Sequence, residues 1–450
     1  MLMDTIGQLY VANSLIRRLN IPPSKVVKVR VGVKAVYSNL VVRDSKSMSY
    51  MLSPQLARAL NLNSRNKLQI RYDHNDETIH IGPIIGILID FLPNKPEFDP
   101  KSVQAELIYL SKIGQRLRAQ YYIFTPGSIN WSNKTVQGYI YRGSGQEQGI
   151  WAASSFPLPD VVYDRISTRR GEAHTRRTKK KLMNLPYLNY FNPSFLNKWR
   201  VHGLLVQNES LLPYLPETLL LNLQNLTDMS NRHRTLYLKP CNGSLGNGII
   251  KVYCNKNGIL HYTIYKNGKH SGYANNPTEL IKATRSSRGR RPYIVQQGIN
   301  LATFNKSPFD IRIIYQKNGE GEWLISKKFV RVAPLGSSIA NLSKGGSAET
   351  SKRVFSTVLK KNKQLIEAKN QELKIICRTV AETLETTDQK LYGELGLDIG
   401  IDKEGKFWLI EVNSKPRKTT ETRLSKGIVL NTFRRPLQYA IYLAGFKNPK

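Results

Sequence analysis

Hydrophobic and polar positions divide the chain into segments of different period. Between Lys25 and Val42, Val27, Val29 and Val31 alternate with Lys28 and Arg30, a period of two that predicts a half-buried strand. Ser53 followed by Pro54 predicts a capped helix start. Lys67 to Tyr72 and Thr78 to Ile81 predict strands around an Asp/Asn turn, so the chain to about Gly82 reads as β-rich. The apolar run Ile81 to Leu92, broken only by Asp90, predicts a buried strand. A helix from Ser102 to Gln120 and a strand from Tyr121 to Thr125 follow, the alternation of a small α/β domain with a parallel sheet, running to about Arg169. Arg165 to Lys181 is densely basic; a solvated linker is the expected reading and an anion-binding strip the alternative. Arg285 to Arg291 predicts a mobile loop. From Leu185 onward helices and strands mix without strict order, with a long helix from Gln364 to Leu384 carrying Leu365, Ile366, Leu373, Ile376, Cys377, Val380, Ala381 and Leu384 as its apolar positions.

Two segments carry candidate chemistry. Thr235 to Pro240 predicts a strand with Leu236 and Leu238 on one face and Tyr237 and Lys239 on the other. The loop Cys241-Asn242-Gly243-Ser244-Leu245-Gly246-Asn247-Gly248 follows, then a second strand from Ile249. Three glycines in six residues let backbone N–H groups converge on an anion, and a lysine entering the loop supplies a point charge for phosphate. A flexible β-turn is the plain alternative. The second segment is the hairpin Leu395–Asp402 and Phe407–Asn413 around Lys403–Lys406. Pairing Asp402 with Phe407 places Asp398 opposite Glu411, with Asn413 on the same face as Glu411 and Phe407. Opposed carboxylates at about 5 Å repel. Two carboxylates and an amide oxygen on rigid strands form a hard-oxygen site for Mg²⁺ shared with phosphates. A solvated acidic face is the alternative.

No GxxxxGK[ST] loop, no kinase HRD or DFG element, and no strand–loop–helix dinucleotide fingerprint is present. A Lys-x-Asp-Gly nucleotidyl site would need Asp where Cys241 stands. His174, His233 and His261 are isolated in sequence and read as structural or surface residues.

The 450 residues exceed one hydrophobic core and imply three or four units. No apolar stretch is long enough to span a membrane, and the start of the chain does not have the form of a secretory signal. The three cysteines form no disulfide framework or CxxC metal spacing, which fits a reducing cytoplasm. Lys and Arg number 68 against 32 Asp and Glu, a net charge of +36 that attracts polyanions without choosing among them.

The order of these pieces resembles the ATP-grasp superfamily, and within it the endospore coat-associated YheC/YheD-type family. The resemblance rests on PDVVYDRI (Pro159 to Ile166), LPET (Leu215 to Thr218), LKPCNGSLGNGI (Leu238 to Ile249), FDIRIIYQK (Phe309 to Lys317), RVAPLGSSIANLSKGG (Arg331 to Gly346) and LDIGID with WLIEVNSKP (Leu397 to Pro416). It implies a multidomain α+β and α/β chain: a β-rich domain over 1–82, a small α/β pre-ATP-grasp domain over 83–184, and an ATP-grasp fold over 185–450. The last would comprise a nucleotide-loop subdomain (185–298) and a metal-binding subdomain (299–450). By the same resemblance Lys239 would contact the ATP phosphates, Lys198 would be a second nucleotide lysine, and Gly243, Ser244, Gly246 and Gly248 would form the phosphate loop. Gln296 and Gln297, with Ile299 beyond them, would form the adenine hinge. Asp310 would border the nucleotide, Arg331 and Asn341 would reach the transferred phosphate, and Asp398, Glu411 and Asn413 would hold Mg²⁺, or Mn²⁺ in its place. The implied reaction activates a substrate carboxylate as an acyl phosphate for attack by an amine or similar acceptor. A weakly active or inactive structural coat protein, binding coat components or another anionic polymer through its basic surface, is the alternative. A cytoplasmic or spore coat-associated location is expected, and +36 alone supports a nucleic-acid-binding reading for which no motif is present.

Overall fold

A computed structural model describes residues 4–62, 68–93, 99–143, 149–243, 246–266, 268–334, 346–420 and 426–448. The chain forms two compact units. One comprises Met1–Ser194, Gln316–Leu324 and Arg417–Lys450; the other comprises Phe195–Tyr315 and Ile325–Pro416. Among the described residues the strands form four sheets.

In the first unit a six-stranded sheet runs in the order Tyr50–Leu52, Gln8–Ala12, Lys34–Arg43, Val26–Val31, Thr78–Gly82, Gln69–Asp73. Val27, Val29 and Val31 are buried as the alternation predicts. Arg30 is buried too, because Asp160 at 3.0 Å and His80 at 2.7 Å receive its guanidinium. Ser53 caps the helix Pro54–Ala59 by accepting Leu56 N–H.

The second sheet holds the parallel strands Gln120–Phe124, Ile84–Leu88, Val161–Asp164 and Asn189–Phe191 in that spatial order. The helix Val103–Gly114 stops short of the expected Gln120, where Gly114 passes so close to Tyr121 that a Cβ would lie 2.8 Å from its ring. The C-terminal helix Lys426–Leu443 buries Phe433, Leu437 and Tyr439 in one cluster with Ile87, Tyr163 and Phe191. Each such side chain contributes about 1.5–3 kcal/mol when fully buried. The expected linker Arg165 to Lys181 is mostly a helix, Arg169–Met183. Its inward side is ordered by buried Lys179, which meets Asp164 at 2.7 Å and Glu172 at 3.2 Å. Arg165 is likewise buried, against Glu106.

In the second unit an antiparallel sheet runs Thr218–Leu220, Tyr293–Gln297, Thr235–Pro240, Ile249–Cys254, Leu260–Tyr265, Lys269–Ala274. The other sheet runs Ser347–Glu349, Trp323–Val332, Ser307–Lys317, Glu394–Ile401, Phe407–Asn413. Helix Lys363–Asp388 buries the expected Leu373, Ile376, Cys377, Val380, Ala381 and Leu384, but Leu365 is exposed. Arg285–Arg288, expected as mobile loop, is a short helix.

The carboxylate hairpin departs from the simple register. Ile401 pairs with Phe407 and Ile399 with Leu409, whereas Asp398 pairs with Glu411 and Gly396 with Asn413. One extra residue, Ile410, is accommodated by a bulge between these stretches. The predicted Asp398–Glu411 pairing therefore holds, while the predicted Asp402–Phe407 pairing is off by one. The bulge also resets the alternation: Phe407, Leu409 and Val412 are buried, while Glu411 and Asn413 are half-buried on the opposite side. Asp402 instead fixes the turn, accepting the N–H groups of Glu404 and Lys406 and the Trp408 indole.

Candidate functional site

Register explains the first part of the site. Thr218, Gln296 and Tyr237 are directly paired across three neighbouring strands, so their side chains share a face. Lys239 lies two residues beyond Tyr237 and shares it too. Its Nζ donates to Gln296 Oε1 at 2.5 Å, and Gln296 Nε2 donates to Thr218 Oγ1 at 2.9 Å. The Thr218 hydroxyl donates to Pro216 O, which leaves its oxygen to accept from Gln296 and fixes the amide's orientation. Lys239 is 9% exposed. Burial pushes its ammonium down to about 8, with Lys198 in the same direction and Glu411 and Asp398 in opposition.

Helix Lys198–Leu205, capped by Asn197, brings the second lysine. Lys198 Nζ donates to Glu411 Oε1 at 2.9 Å and to Gly243 O at 3.0 Å, joining the helix to the glycine loop and the carboxylate hairpin. Val201, His202 and Leu205 follow Lys198 on the same helical face. A small cavity, partly open to solvent, is bounded by these side chains. Its polar groups are Lys198, Lys239, Thr218, Gln296, Glu411 and His202; Leu215, Pro216, Ile294 and Ile410 supply apolar wall. Apolar walls with a few convergent polar groups are the usual form of a small-ligand site.

A second cluster is built on the adjoining strands. Asp398 receives Arg312 and Arg331, whose terminal nitrogens each lie 2.9 Å from Oδ2. Arg331 also grips Asp310 through two bonds of 2.6 and 2.8 Å. Burial works against charge on Asp398, but Arg312 and then Arg331 hold it below the usual carboxylate range. Asp310 is pushed up to about 6 by burial, against the pull of Arg331.

The expected residues thus separate. Lys198, Lys239, Gln296 and Glu411 line the cavity. Asp398 is paired in register with Glu411 and is held with Asp310 by Arg331, outside the lining. Asn413 is half-buried, opposite Gly396. Gly243 meets Lys198, and Gly246 and Gly248 turn the loop with φ of 68° and 81°. Gln297 does not line the cavity; it points to the other face and accepts Glu217 N–H. Ile299 lies beyond the strand and is also absent from the lining. Ser244 and Asn341 lie outside the described residues. Sequence reading missed His202 and Thr218 as wall residues. The spacing of four from Lys198 on one helix was the available signal for His202; Thr218 depends on strand order, which no local pattern encodes. It also missed Arg312 as a partner of Asp398. His233, read as isolated, meets Glu217 at 2.7 Å.

Residues 187–443 match the family model described as YheC/D like ATP-grasp. The chain belongs to that family. Every residue of the cavity falls within the matched range of this ATP-grasp chain. Endospore coat-associated protein YheD of Bacillus subtilis (strain 168) is 28% identical over 92% of this chain and 90% of its own length. Endospore coat-associated protein YheC of the same organism is 26% identical over 78% of this chain and 96% of its own. Among solved structures, VanG D-Ala:D-Ser ligase from Enterococcus faecalis covers 81% of this chain and 99% of its own, at 14% identity and a TM-score of 0.48.

An ATP-grasp fold implies ATP and Mg²⁺. Buried Asp398 Oδ1 has no hydrogen-bond donor of acceptable geometry, although Arg312 Nε lies against it. Asp398, Glu411 and Asn413 offer oxygens of the type a hard divalent cation takes. Among the described residues no group of three or more His, Cys, Asp or Glu is arranged for a metal. Asp398 is held by Arg312 and Arg331 and Glu411 by Lys198, so an ion taken here would share these oxygens with those cations and complete its shell with phosphate and water.

Proposed function

We propose that the cavity between Lys198, Lys239 and Glu411 binds Mg-ATP and that the chain is an ATP-dependent ligase acting on a substrate carboxylate. The observation that carries this reading is the convergence of two lysines and a carboxylate on one apolar-walled cavity beside the glycine loop. Leu215, Pro216 and Ile294 suit a planar base, and Lys239 and Lys198 suit its phosphates as point charges. Asp398, Glu411 and Asn413 would hold Mg²⁺. The ion would neutralise charge on the phosphates and polarise the one being transferred.

The remaining chemistry is positioning. Gln296, locked by Thr218, holds Lys239 toward the phosphates. Arg331 spans Asp310 and Asp398 and would swing its free donors toward the transferred phosphoryl oxygens. The substrate carboxylate would attack the terminal phosphate in line, displacing ADP to give an acyl phosphate, from which an amine or similar acceptor would displace inorganic phosphate with loss of a proton. Fixed cations aimed at developing charge supply the rate. In such a mechanism no side-chain nucleophile is needed.

Titration calorimetry with Mg-ATP tests the binding step, with saturable binding expected for the wild-type chain and its loss expected for K239M. ADP release in screens of carboxylic acids with amines then tests turnover. No binding of Mg-ATP to the wild-type chain overturns the proposal. Binding without turnover across such a screen would favour a structural coat protein with a vestigial site. The YheC and YheD names motivate spore coat preparations as the place to look for the chain.

A further inference from the structure

The helix Arg169–Met183 is fixed on one side and bare on the other. Thr168 caps it, accepting Gly171 N–H at 2.9 Å. Lys179 is buried against Asp164 and Glu172, and Leu182 is fully buried. These contacts decide which face meets solvent. On it stand Arg170, Arg176, Arg177, Lys180 and Lys181, all exposed. None of the five has an acidic partner among the described residues; Lys181 lies over the Trp131 ring, 4.0 Å from its centroid. Seven of the fifteen helix residues are Lys or Arg, against 68 of 450 in the chain, so the helix is enriched well beyond the general basic bias.

This arrangement is unfavourable for an isolated helix. Arg176 with Lys180, and Arg177 with Lys181, are like charges one turn apart. Arg169 and Arg170 sit at the positive end of the helix dipole. The family match begins at residue 187, past this helix, so the ATP site does not account for it. An anionic partner would remove both penalties.

Three observations choose the partner. Three of the five cations are arginines, whose planar forks suit phosphate oxygens. A membrane-binding helix would flank its cations with apolar side chains, but Leu182 is turned inward and Met183 alone is exposed at that end. The exposed row from Arg170 to Lys181 runs about 16 Å at 1.5 Å per residue, on a cylinder that a major groove of about 12 Å admits. We propose that the outer face of Arg169–Met183 binds the phosphate backbone of duplex nucleic acid. Phosphate oxygens carry no sequence information, so binding through them is expected to be independent of sequence.

Fluorescence anisotropy with a short labelled DNA duplex, titrated with the full chain at several salt concentrations, tests this. R170Q/R176Q/R177Q/K181Q is compared with K256Q/K282Q/K352Q/K363Q, which removes the same charge from exposed sites elsewhere. The helix variant is expected to bind at least about tenfold more weakly at fixed salt. Its slope of log affinity on log salt should be shallower by up to about 3.6, at about 0.9 for each of the four phosphates it no longer neutralises. The control variant should bind less than about threefold more weakly, and Mg-ATP binding should be unchanged in both. Thermal melting confirms that each variant is folded, and R170Q/R177Q provides a milder pair. Equal weakening in the two variants would assign binding to diffuse net charge and overturn the proposal. So would absence of duplex binding, or tighter binding to polyglutamate or to phosphatidylglycerol vesicles than to the duplex.

Discussion

Lys239 would set the pH range of the proposed ATP site. Its charge is depressed by burial to about 8, so the ammonium is lost as pH rises through that value. ATP affinity should therefore fall by up to about tenfold per pH unit above about 8. Calorimetry over pH 7 to 9.5 checks it; K239M should bind weakly at every pH, without that inflection. Asp398 works in the opposite direction. Arg312 and Arg331 keep it charged, so the stability of that ion pair is present above the ordinary carboxylate range and disappears as pH falls through the depressed value. R312A leaves a buried carboxylate short of one partner and should cost about 3 kcal/mol. A melt unchanged by R312A would show that the pair carries little stability. At this scale much was legible: Lys239 and the Asp398–Glu411 opposition follow from alternation and hairpin pairing. Arg312 as counter-ion was not, because its strand meets the Asp398 strand only through sheet order.

Two elements carry the geometry. The bulge at Ile410 puts Glu411 and Asn413 on the opposite side from Phe407 and Leu409. Deleting Ile410 removes the extra residue and with it the bulge, leaving Glu411 opposite Asp398 and still facing away from Leu409 in plain alternation. Folded protein that still binds Mg-ATP, weakened by the loss of one apolar wall residue, is the expected outcome; loss of binding with the fold retained would show that the bulge itself positions Glu411. Gly248 closes the glycine loop at a φ of 81°, donating its N–H to Tyr265 O and accepting the Tyr293 hydroxyl. G248A should cost about 1–2 kcal/mol, read as a lower denaturant midpoint. The bulge has no sequence signature, since apolar Ile410 continues the alternation. The basic helix was missed for a related reason: its inward anchors are Thr175, Lys179 and Leu182, and only one of them is apolar.

For the whole molecule the net charge of +36 is a self-repulsion that salt screens. Tm should rise between low and physiological ionic strength in the absence of ligand; a fall would mean that local ion pairs outweigh the general field. The β-rich, α/β and mixed regions were readable from period and order, whereas the pairing of distant segments into sheets was not, because it depends on contacts far apart in sequence.

Four crossings of the backbone, at Ser194, Tyr315, Leu324 and Pro416, separate the two units. The first unit is thus a mosaic whose last tile is the final helix, which closes over Ile87, Tyr163 and Phe191. A nascent chain emerging from the ribosome holds that greasy face uncovered until synthesis is almost complete. Fragments ending at Ser194 should therefore clump, and a stop codon near Arg417 should cripple the protein while leaving every residue of the proposed nucleotide site encoded.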